Sequence, residues 1–273
     1  MNAKSAVYRH LKKSTCANPK KFRLMMDTAM IFAAGLGTRL APLTDDRPKA
    51  LVEFAGKTML ERTIEKLVAA GIRKIIINTH HFHTLMEEFV SSLHYPAADL
   101  ILSDESDFLM DTGGGLKKAA ALMQGEKPFL VHNVDVISDV NLKDMYEKHT
   151  AQRALASLAV STRPTSRYFL WYNNRLCGWE NIQTGDVIRC YPTAEPPELL
   201  AFSGIHIIDP AIFGLMEEGG KFSINQVYLR LAKEYTIVPY RHNPRYWADL
   251  GSVPKMEKAL RMLADNPKKF DNI

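Results

Sequence analysis

The chain of 273 residues lacks several features that would place it in particular classes of protein. No apolar run approaches the roughly 18 residues of a membrane-spanning helix, so we expect no membrane partner. No linker divides the chain, which is long enough for one large core or two small ones. Its three cysteines, Cys16, Cys177 and Cys190, show no metal-binding spacing and favour a reducing, cytoplasmic location.

Acidic residues are absent from residues 1–24, where seven basic residues lie. Removing those seven positive charges from the net charge of +5 leaves −2 on the remainder, which does not indicate nucleic-acid binding. This leader, residues 1–24, lacks the apolar segment of a secretory signal. Three interpretations of it remain: a transit peptide, a basic tail, or upstream sequence attached by a misassigned start codon. Because Met25, Met26 and Met30 lie just before or at the start of the first strand, we favour a misassigned start. We expect residues 1–27 to be disordered or misassigned, and residues 1–24 to be dispensable for activity.

The most informative segment is 33–51, AAGLGTRLAPLTDDRPKAL, which follows an apolar run typical of a buried strand. Its glycines let the backbone approach a ligand closely and present several N–H groups to an anion. Arg39 and Lys49 add positive charge to the same loop. The segment therefore predicts a polyphosphate site.

Two common phosphate loops do not fit this segment. Leu40 stands where a dinucleotide-binding turn has its third glycine, which disfavours an NAD-dependent oxidoreductase, and Ala50 follows Lys49 where a Walker loop has Ser or Thr. The pattern G-x-G-T-R-L-x-P-L-T followed by R-P-K-x-L instead resembles the sugar-1-phosphate nucleotidyltransferases. The resemblance extends over residues 28–263.

Hydrophobic patterns predict an α/β fold. In the first half, strand-like runs at 29–33, 74–78, 100–103 and 128–132 alternate with helical patterns at 59–70, 84–93 and 115–123. The first of these helices is predicted to open with a capping box, Thr58-Met59-Leu60-Glu61. This alternation is typical of parallel strands with ligands at their carboxyl ends. In the second half, runs at 154–160, 168–172, 186–191 and 199–208 predict a meander, followed by a helix at 224–234, a strand at 236–239 and a helix at 253–263. The resemblance implies one Rossmann-like, three-layer nucleotidyltransferase domain at 28–273, similar to glycosyltransferase-A folds. Its central sheet would be mostly parallel, with a β-rich sugar-binding half.

The resemblance also implies a reaction, in which a sugar 1-phosphate attacks the α-phosphorus of a nucleoside triphosphate and pyrophosphate leaves. A phosphate monoester has a second pKa near ~6, so this nucleophile needs no general base at neutral pH. Catalysis should then consist of positioning and charge neutralisation. By resemblance, Arg39 contacts the triphosphate and the departing pyrophosphate, and Lys49 lies against the reacting phosphates.

Two aspartates are the candidate Mg²⁺ ligands, because Mg²⁺ takes one or two carboxylates together with phosphate oxygens. Asp135 follows the apolar run at 128–132, although Val134 replaces a glycine that is frequent in the family. Asp249 lies in Trp247-Ala248-Asp249-Leu250-Gly251, which resembles the family's W-x-D-x-G. The alternative for each is an aspartate that caps a helix or a turn.

The resemblance places the nucleotide on Ala34, Gly35, Gly37 and Thr38, and the base near Glu105, Gly113 and Gly114. A carboxylate can accept from guanine or from uracil, so UTP and GTP both remain. The alternative for the glycine run is a turn that only reverses the chain. Asn181, Ser203 and Gly204 are the candidate sugar-binding residues. The family's usual E-K-P is absent here, and an ordinary packed strand is an equal alternative for these residues.

Within the family, the short length, the run at 111–115 and the compact ending are most similar to enzymes that transfer uridylyl groups to N-acetylmuramate 1-phosphate. Guanylyl transfer to mannose or heptose 1-phosphate is the alternative substrate choice. The alternative to an enzyme is a catalytically silent subunit that binds a nucleotide sugar on the same fold. It would not need Arg39, Lys49, Asp135 and Asp249, all of which are present. We expect a monomer or a homodimer.

Overall fold

A parallel sheet lies at the centre of the computed structural model, which describes residues 26–123, 125, 127–242 and 246–265. The leader at 1–24 lies outside these residues. Four parallel strands lie side by side in the order β5 (Asp99–Asp104), β4 (Lys74–Thr79), β1 (Thr28–Phe32) and β6 (Phe129–Asn133). Their carboxyl ends meet at one edge, where parallel α/β sheets bind ligands.

An antiparallel region extends the sheet beyond β6. Strand β12 (Glu198–Ile208) pairs with β6 and also with β8 (Ala156–Ser161), which runs parallel to β13 (Ile237–Arg241). The first half of β12 pairs with β9 (Arg167–Tyr172), and β10 (Arg175–Asn181) and β11 (Asp186–Arg189) continue as a meander. The predicted α/β class with a mostly parallel centre is confirmed, whereas β10 was not predicted.

Two small antiparallel pairs were also absent from the prediction. Strand β2 (Glu53–Phe54) pairs with β3 (Lys57–Thr58), and β7 (Val136–Ser138) pairs with β14 (Trp247–Asp249). Strands of two or three residues are too short to show an alternating pattern. The second pair joins parts of the chain that are far apart in sequence.

Within the described residues, six α-helices accompany the strands: α1 (Met59–Ala69), α2 (His83–Ser92), α3 (Asp111–Lys118), α4 (Leu142–Gln152), α5 (Ile224–Leu231) and α6 (Val253–Ala264). Short 3₁₀ turns cover Thr38–Leu40, Lys49–Leu51, Ala119–Met123 and Pro210–Leu215. The capping box of Thr58 and Glu61 forms as predicted. Helix α3 covers Asp111–Lys118 rather than the predicted 115–123, so the three glycines lie inside the helix, and a 3₁₀ turn continues it to Met123. Helix α4 was not predicted.

The helices form layers on both faces of the sheet. Alternate side chains of β1 point to opposite faces: Ala29 and Ile31 join one core cluster, and Met30 and Phe32 join the other. Helices α1, α2, α4 and α6 contribute to the first cluster, and α3 and α5 to the second. This is a three-layer α/β/α arrangement. None of the helices within the described ranges has the length and apolarity needed to cross a bilayer.

Buried histidines make the fold sensitive to acid. His149 on α4 is buried, its Nδ1 lies 2.9 Å from Ser157 Oγ, and burial lowers its pKa from 6.5 to about 4. Because the folded-state pKa is lower, the unfolded chain binds the proton more tightly. The contribution of neutral His149 to the free energy of unfolding is therefore fully present above about pH 6.5. It is lost as the pH falls towards the folded-state pKa of about 4. We expect this residue alone to lower the free energy of unfolding by about 2 kcal/mol between pH 7 and pH 5.

Urea unfolding of the wild type and His149→Gln at pH 7 and pH 5 measures this contribution. The variant should show the smaller pH dependence, by about 2 kcal/mol. His94→Gln, which changes an exposed histidine, serves as the matched control and should behave like the wild type. Equal pH dependence in all three proteins would contradict the assignment.

Candidate functional site

The glycine loop leaves the carboxyl end of β1 and is anchored at its start. The backbone N–H groups of Ala33 and Ala34 donate to Asn78 Oδ1 at 2.7 and 3.3 Å. Gly37 has a φ of +70°, a conformation that glycine adopts without strain, and it precedes the 3₁₀ turn that begins at Thr38. Gly35 and Thr38 are exposed, so the loop presents its backbone to solvent.

Lys49 lies beneath this loop and reaches the end of β6. Its Nζ lies 3.0 Å from Asp135 Oδ2, and the two side chains are only 15% and 12% exposed. A Cβ added at Gly35 would lie 3.5 Å from the same Nζ, so the loop backbone passes close to the ammonium group. The structure therefore brings the predicted lysine and one predicted metal ligand into direct contact.

The pairing of β7 with β14 brings the two aspartates together. Asp249 lies opposite Val136 in this pair, and the N–H of Leu250 donates to Asp135 O at 2.7 Å. A Cβ added at Gly251 would lie 2.8 Å from Asp249 Oδ1, 2.9 Å from Asp135 Oδ2 and 3.3 Å from Arg39 Nη2. The carboxylates and the Arg39 guanidinium thus converge on Gly251.

Hydrogen bonds and neighbouring cations hold Asp249 in its charged form. Burial alone would raise its pKa, but hydrogen bonds from Lys255 and from the Gly251 N–H, together with the charges of Lys255 and Arg39, lower the pKa below its ordinary value. An ionised carboxylate at this point suits an ion-binding role.

A cavity of about 330 Å³ opens at the carboxyl ends of the parallel strands, next to the contact between Lys49 and Asp135. Of the residues that the sequence assigned to the nucleotide, Ala34, Gly35 and Glu105 line it. Its remaining lining residues are Phe32, Lys49, Asn78, Leu109, Asp111, Thr112, Asn133, Asp135 and Lys221. We call this space the nucleotide cavity.

Glu105 supports the loop from below. Its Oε1 accepts from Asn78 Nδ2 at 2.7 Å and its Oε2 from the N–H of Met110 at 3.3 Å, and burial raises its pKa. Asn78 in turn accepts from the first N–H groups of the glycine loop. The predicted base contact by Glu105 stays a prediction, and the structure adds a supporting role through Asn78.

Gly113 and Gly114 are buried in α3 and are not among the described residues that line the nucleotide cavity. Their backbone N–H groups donate to the Phe222 carbonyl at 2.9 and 3.2 Å. A Cβ at Gly113 would lie 2.5 Å from the Phe222 ring, and one at Gly114 would lie 2.6 Å from Gly220 O. The glycine run therefore permits close packing, and its neighbours Asp111 and Thr112 face the cavity.

The three candidate sugar residues lie in different surroundings. Gly204 has a φ of +77°, and a Cβ there would lie 3.1 Å from the amide of Asn133, which lines the nucleotide cavity. Ser203 is buried, with its Oγ 2.8 Å from His242 Nε2. The Oδ1 of Asn181 instead accepts from the N–H of Gln183 at 3.1 Å, which stabilises the turn that follows β10.

The sequence analysis did not identify several residues that the structure places in the site. Gly251 was part of the quoted W-x-D-x-G motif, and its spacing from Asp249 was the signal that could have identified it. Asn133 precedes Asp135 by two residues, at the end of β6. Lys221 carries no local signal, because it reaches the cavity only through the packing of its segment against α3.

Comparisons with known proteins identify the family to which the chain belongs. The model of the nucleotidyl transferase family matches residues 28–266. The chain is 35% identical over 217 residues to the N-acetylmuramate alpha-1-phosphate uridylyltransferase of Caulobacter vibrioides, covering 76% of this chain and 84% of that protein. It is 28% identical over 251 residues to mannose-1-phosphate guanylyltransferase 1 of Arabidopsis thaliana, covering 88% of this chain and 66% of that protein.

Solved structures share the fold at low sequence identity. A UDP-glucose pyrophosphorylase from Acinetobacter baumannii superposes with a TM-score of 0.73 at 19% identity, covering 89% of this chain and 95% of that one. The inositol-1-phosphate CTP transferase of T. maritima gives 0.68 at 15% identity, with 90% and 97% covered. The enzyme class inferred from the glycine loop, a sugar-phosphate nucleotidyltransferase, is confirmed, and the chain belongs to the nucleotidyl transferase family.

Proposed function

We propose that this enzyme transfers a nucleotidyl group from a nucleoside triphosphate to a sugar 1-phosphate, releasing pyrophosphate. The observation that supports this most strongly is the convergence of Arg39, Asp135 and Asp249 at Gly251, with Lys49 paired to Asp135. The attacking phosphate is already anionic, so the site needs no general base. Arg39 and Lys49 would neutralise the charge of the reacting and departing phosphates. The loop residues Ala34, Gly35, Gly37 and Thr38 would bind the triphosphate.

We propose Mg²⁺ as the ion held by Asp135 and Asp249. Within the described part of the chain, no group of three or more His, Cys, Asp or Glu residues could hold a metal ion. Two facing carboxylates nevertheless fit Mg²⁺, which usually takes one or two carboxylates and completes its shell with phosphate oxygens and water. When bound, the ion supplies positive charge for the phosphates.

We infer that uridylyl transfer to N-acetylmuramate 1-phosphate is the reaction, because the Caulobacter relative is named for it and matches over most of both chains. Guanylyl transfer to mannose 1-phosphate is the second candidate, supported by the Arabidopsis relative. We propose that the base lies beside Glu105 and the segment of Gly113 and Gly114. The N–H groups of these glycines are bonded to Phe222, so the preceding residues Asp111 and Thr112 would present this segment to the base. Ser203, Gly204 and Asn181 remain our proposed sugar-binding residues.

Pyrophosphate release tests the proposal. The purified protein is incubated with Mg²⁺, each nucleoside triphosphate in turn and a panel of sugar 1-phosphates. UTP with N-acetylmuramate 1-phosphate should give the highest kcat/KM. Turnover only with GTP and mannose 1-phosphate would favour the second candidate. Binding of nucleotide without pyrophosphate release for any pair would indicate the silent binding subunit.

Replacing either aspartate with asparagine should weaken metal binding. We expect Asp135→Asn and Asp249→Asn to raise the Mg²⁺ concentration for half-maximal activity by at least ~10-fold, because a neutral amide is a poorer ligand for a hard cation. Asp186→Asn, at an exposed position on β11, is the matched control. An Mg²⁺ titration identical to that of the wild type would remove the aspartate from the metal site.

A further inference from the structure

A second cavity, of about 590 Å³, has Asp249 among its lining residues. We call it the basic cavity, because Arg163, Lys255 and Lys258 line it, and Asp249 is the one acidic side chain among its described lining residues. The Lys255 ammonium is already paired with Asp249. The charges of Arg163 and Lys258 therefore remain for a ligand, and that ligand should be an anion.

Arg163 is held in place for binding. Its guanidinium lies 3.8 Å from the centre of the Trp247 ring, and its Nη2 donates to the Phe202 carbonyl at 2.6 Å. Its Nε is buried and has no hydrogen-bond partner among the described residues. The packing therefore fixes the guanidinium charge at the wall of the cavity. Arginine suits a carboxylate, because its planar fork can form two parallel hydrogen bonds with one.

Three consecutive residues of β12 connect the basic cavity to the nucleotide cavity. Phe202 accepts from Arg163, the Ser203 carbonyl accepts from Trp247 Nε1 at 3.1 Å, and Gly204 lies against Asn133. Asp249 provides a second link, because it lines the basic cavity and meets Asp135 at Gly251, and Asp135 lines the nucleotide cavity. The two cavities are therefore joined through neighbouring residues, as an acceptor that extends from one to the other would require.

We propose that the basic cavity binds a carboxylate that the acceptor sugar carries in addition to its 1-phosphate. This inference rests on the proposed function, in which the 1-phosphate itself lies beside Lys49 and Asp135. A second anion on the same sugar would then extend past Asp249 towards Arg163 and Lys258. The enzyme would thereby select acidic sugar phosphates over neutral ones of similar shape.

Two acceptors that differ by one acidic group test this selection. N-acetylmuramate 1-phosphate and N-acetylglucosamine 1-phosphate differ by a lactyl ether that carries a carboxylate. The wild type should show the higher kcat/KM with the acidic acceptor. Arg163→Gln should raise KM for that acceptor on the order of 10-fold or more, and Lys258→Gln by about 3-fold or more, through loss of charge-assisted contacts. Neither variant should change kcat/KM for the neutral acceptor by more than about 2-fold.

Arg261→Gln is the matched control, because Arg261 is exposed on the same helix and does not line the basic cavity. Lys258 is exposed, so its variant keeps the test decisive if Arg163→Gln fails to fold. A wild type that prefers the neutral acceptor would overturn the proposal. The proposal would also be overturned if every variant that folds lost kcat/KM equally with both acceptors, or lost none with either. Either result would be expected if the cavity bound a separate anionic regulator. No pyrophosphate release from the wild type with any sugar phosphate would instead refute the proposed function.

Discussion

Replacing Lys49 with alanine is expected to lower kcat at least ~100-fold, which is typical for the loss of one group that stabilises transition-state charge. Its Nζ lies 3.0 Å from Asp135 Oδ2 and close to the backbone at Gly35, so its charge is fixed beside the nucleotide cavity. A water molecule in its place would be mobile and neutral. The loss should appear mainly in kcat, because the charge acts on the reacting phosphates.

Steady-state pyrophosphate release, measured for the wild type and the Lys49 variant, tests this effect. Lys57→Ala is the matched control, since Lys57 is exposed and pairs with Glu65 away from the cavity. Because the variant also leaves Asp135 without its ion-pair partner, thermal unfolding is recorded in parallel. A variant that folds and retains wild-type kcat would remove Lys49 from the mechanism.

Substituting alanine for Gly251 is expected to reduce kcat/KM by about 100-fold without unfolding the protein, because displacements of under 1 Å in a catalytic site can have this effect. The new methyl group would lie 2.8 Å from Asp249 Oδ1 and 2.9 Å from Asp135 Oδ2. Both distances are shorter than normal carbon–oxygen contacts, so the carboxylates must move apart. The Arg39 guanidinium, 3.3 Å away, would also be displaced.

Gly214→Ala provides the comparison, because no atom lies within 4 Å of a Cβ added there. Activity and the Mg²⁺ requirement are measured for both variants. The Gly251 variant should need more Mg²⁺ as well as turning over more slowly, whereas the Gly214 variant should match the wild type. Wild-type activity in Gly251→Ala would show that the two carboxylates need not converge for catalysis.

Local sequence patterns were sufficient for the four parallel strands and for helices α1 and α2. The β-branched run at 74–78 predicted a buried strand because a strand covered on both faces is apolar throughout. Thr58 and Glu61 predicted the start of α1 because a capping box depends on residues only three positions apart. The glycine loop predicted the family for the same reason, since its glycines, Arg39 and Lys49 lie within one short segment.

The tertiary structure alone decided how distant residues meet. Asp135 and Asp249 become neighbours through β7 and β14, each three residues long, whose pairing leaves no periodic signal in the sequence. Whether the N–H groups of Gly113 and Gly114 were free or bonded depended on where Phe222 packs. The sequence by itself determined the fold class and the family, because both follow from contacts between near neighbours in the chain. The meeting of cations and carboxylates at Gly251 depended on long-range strand pairing, whose register is set by the packing of the whole core.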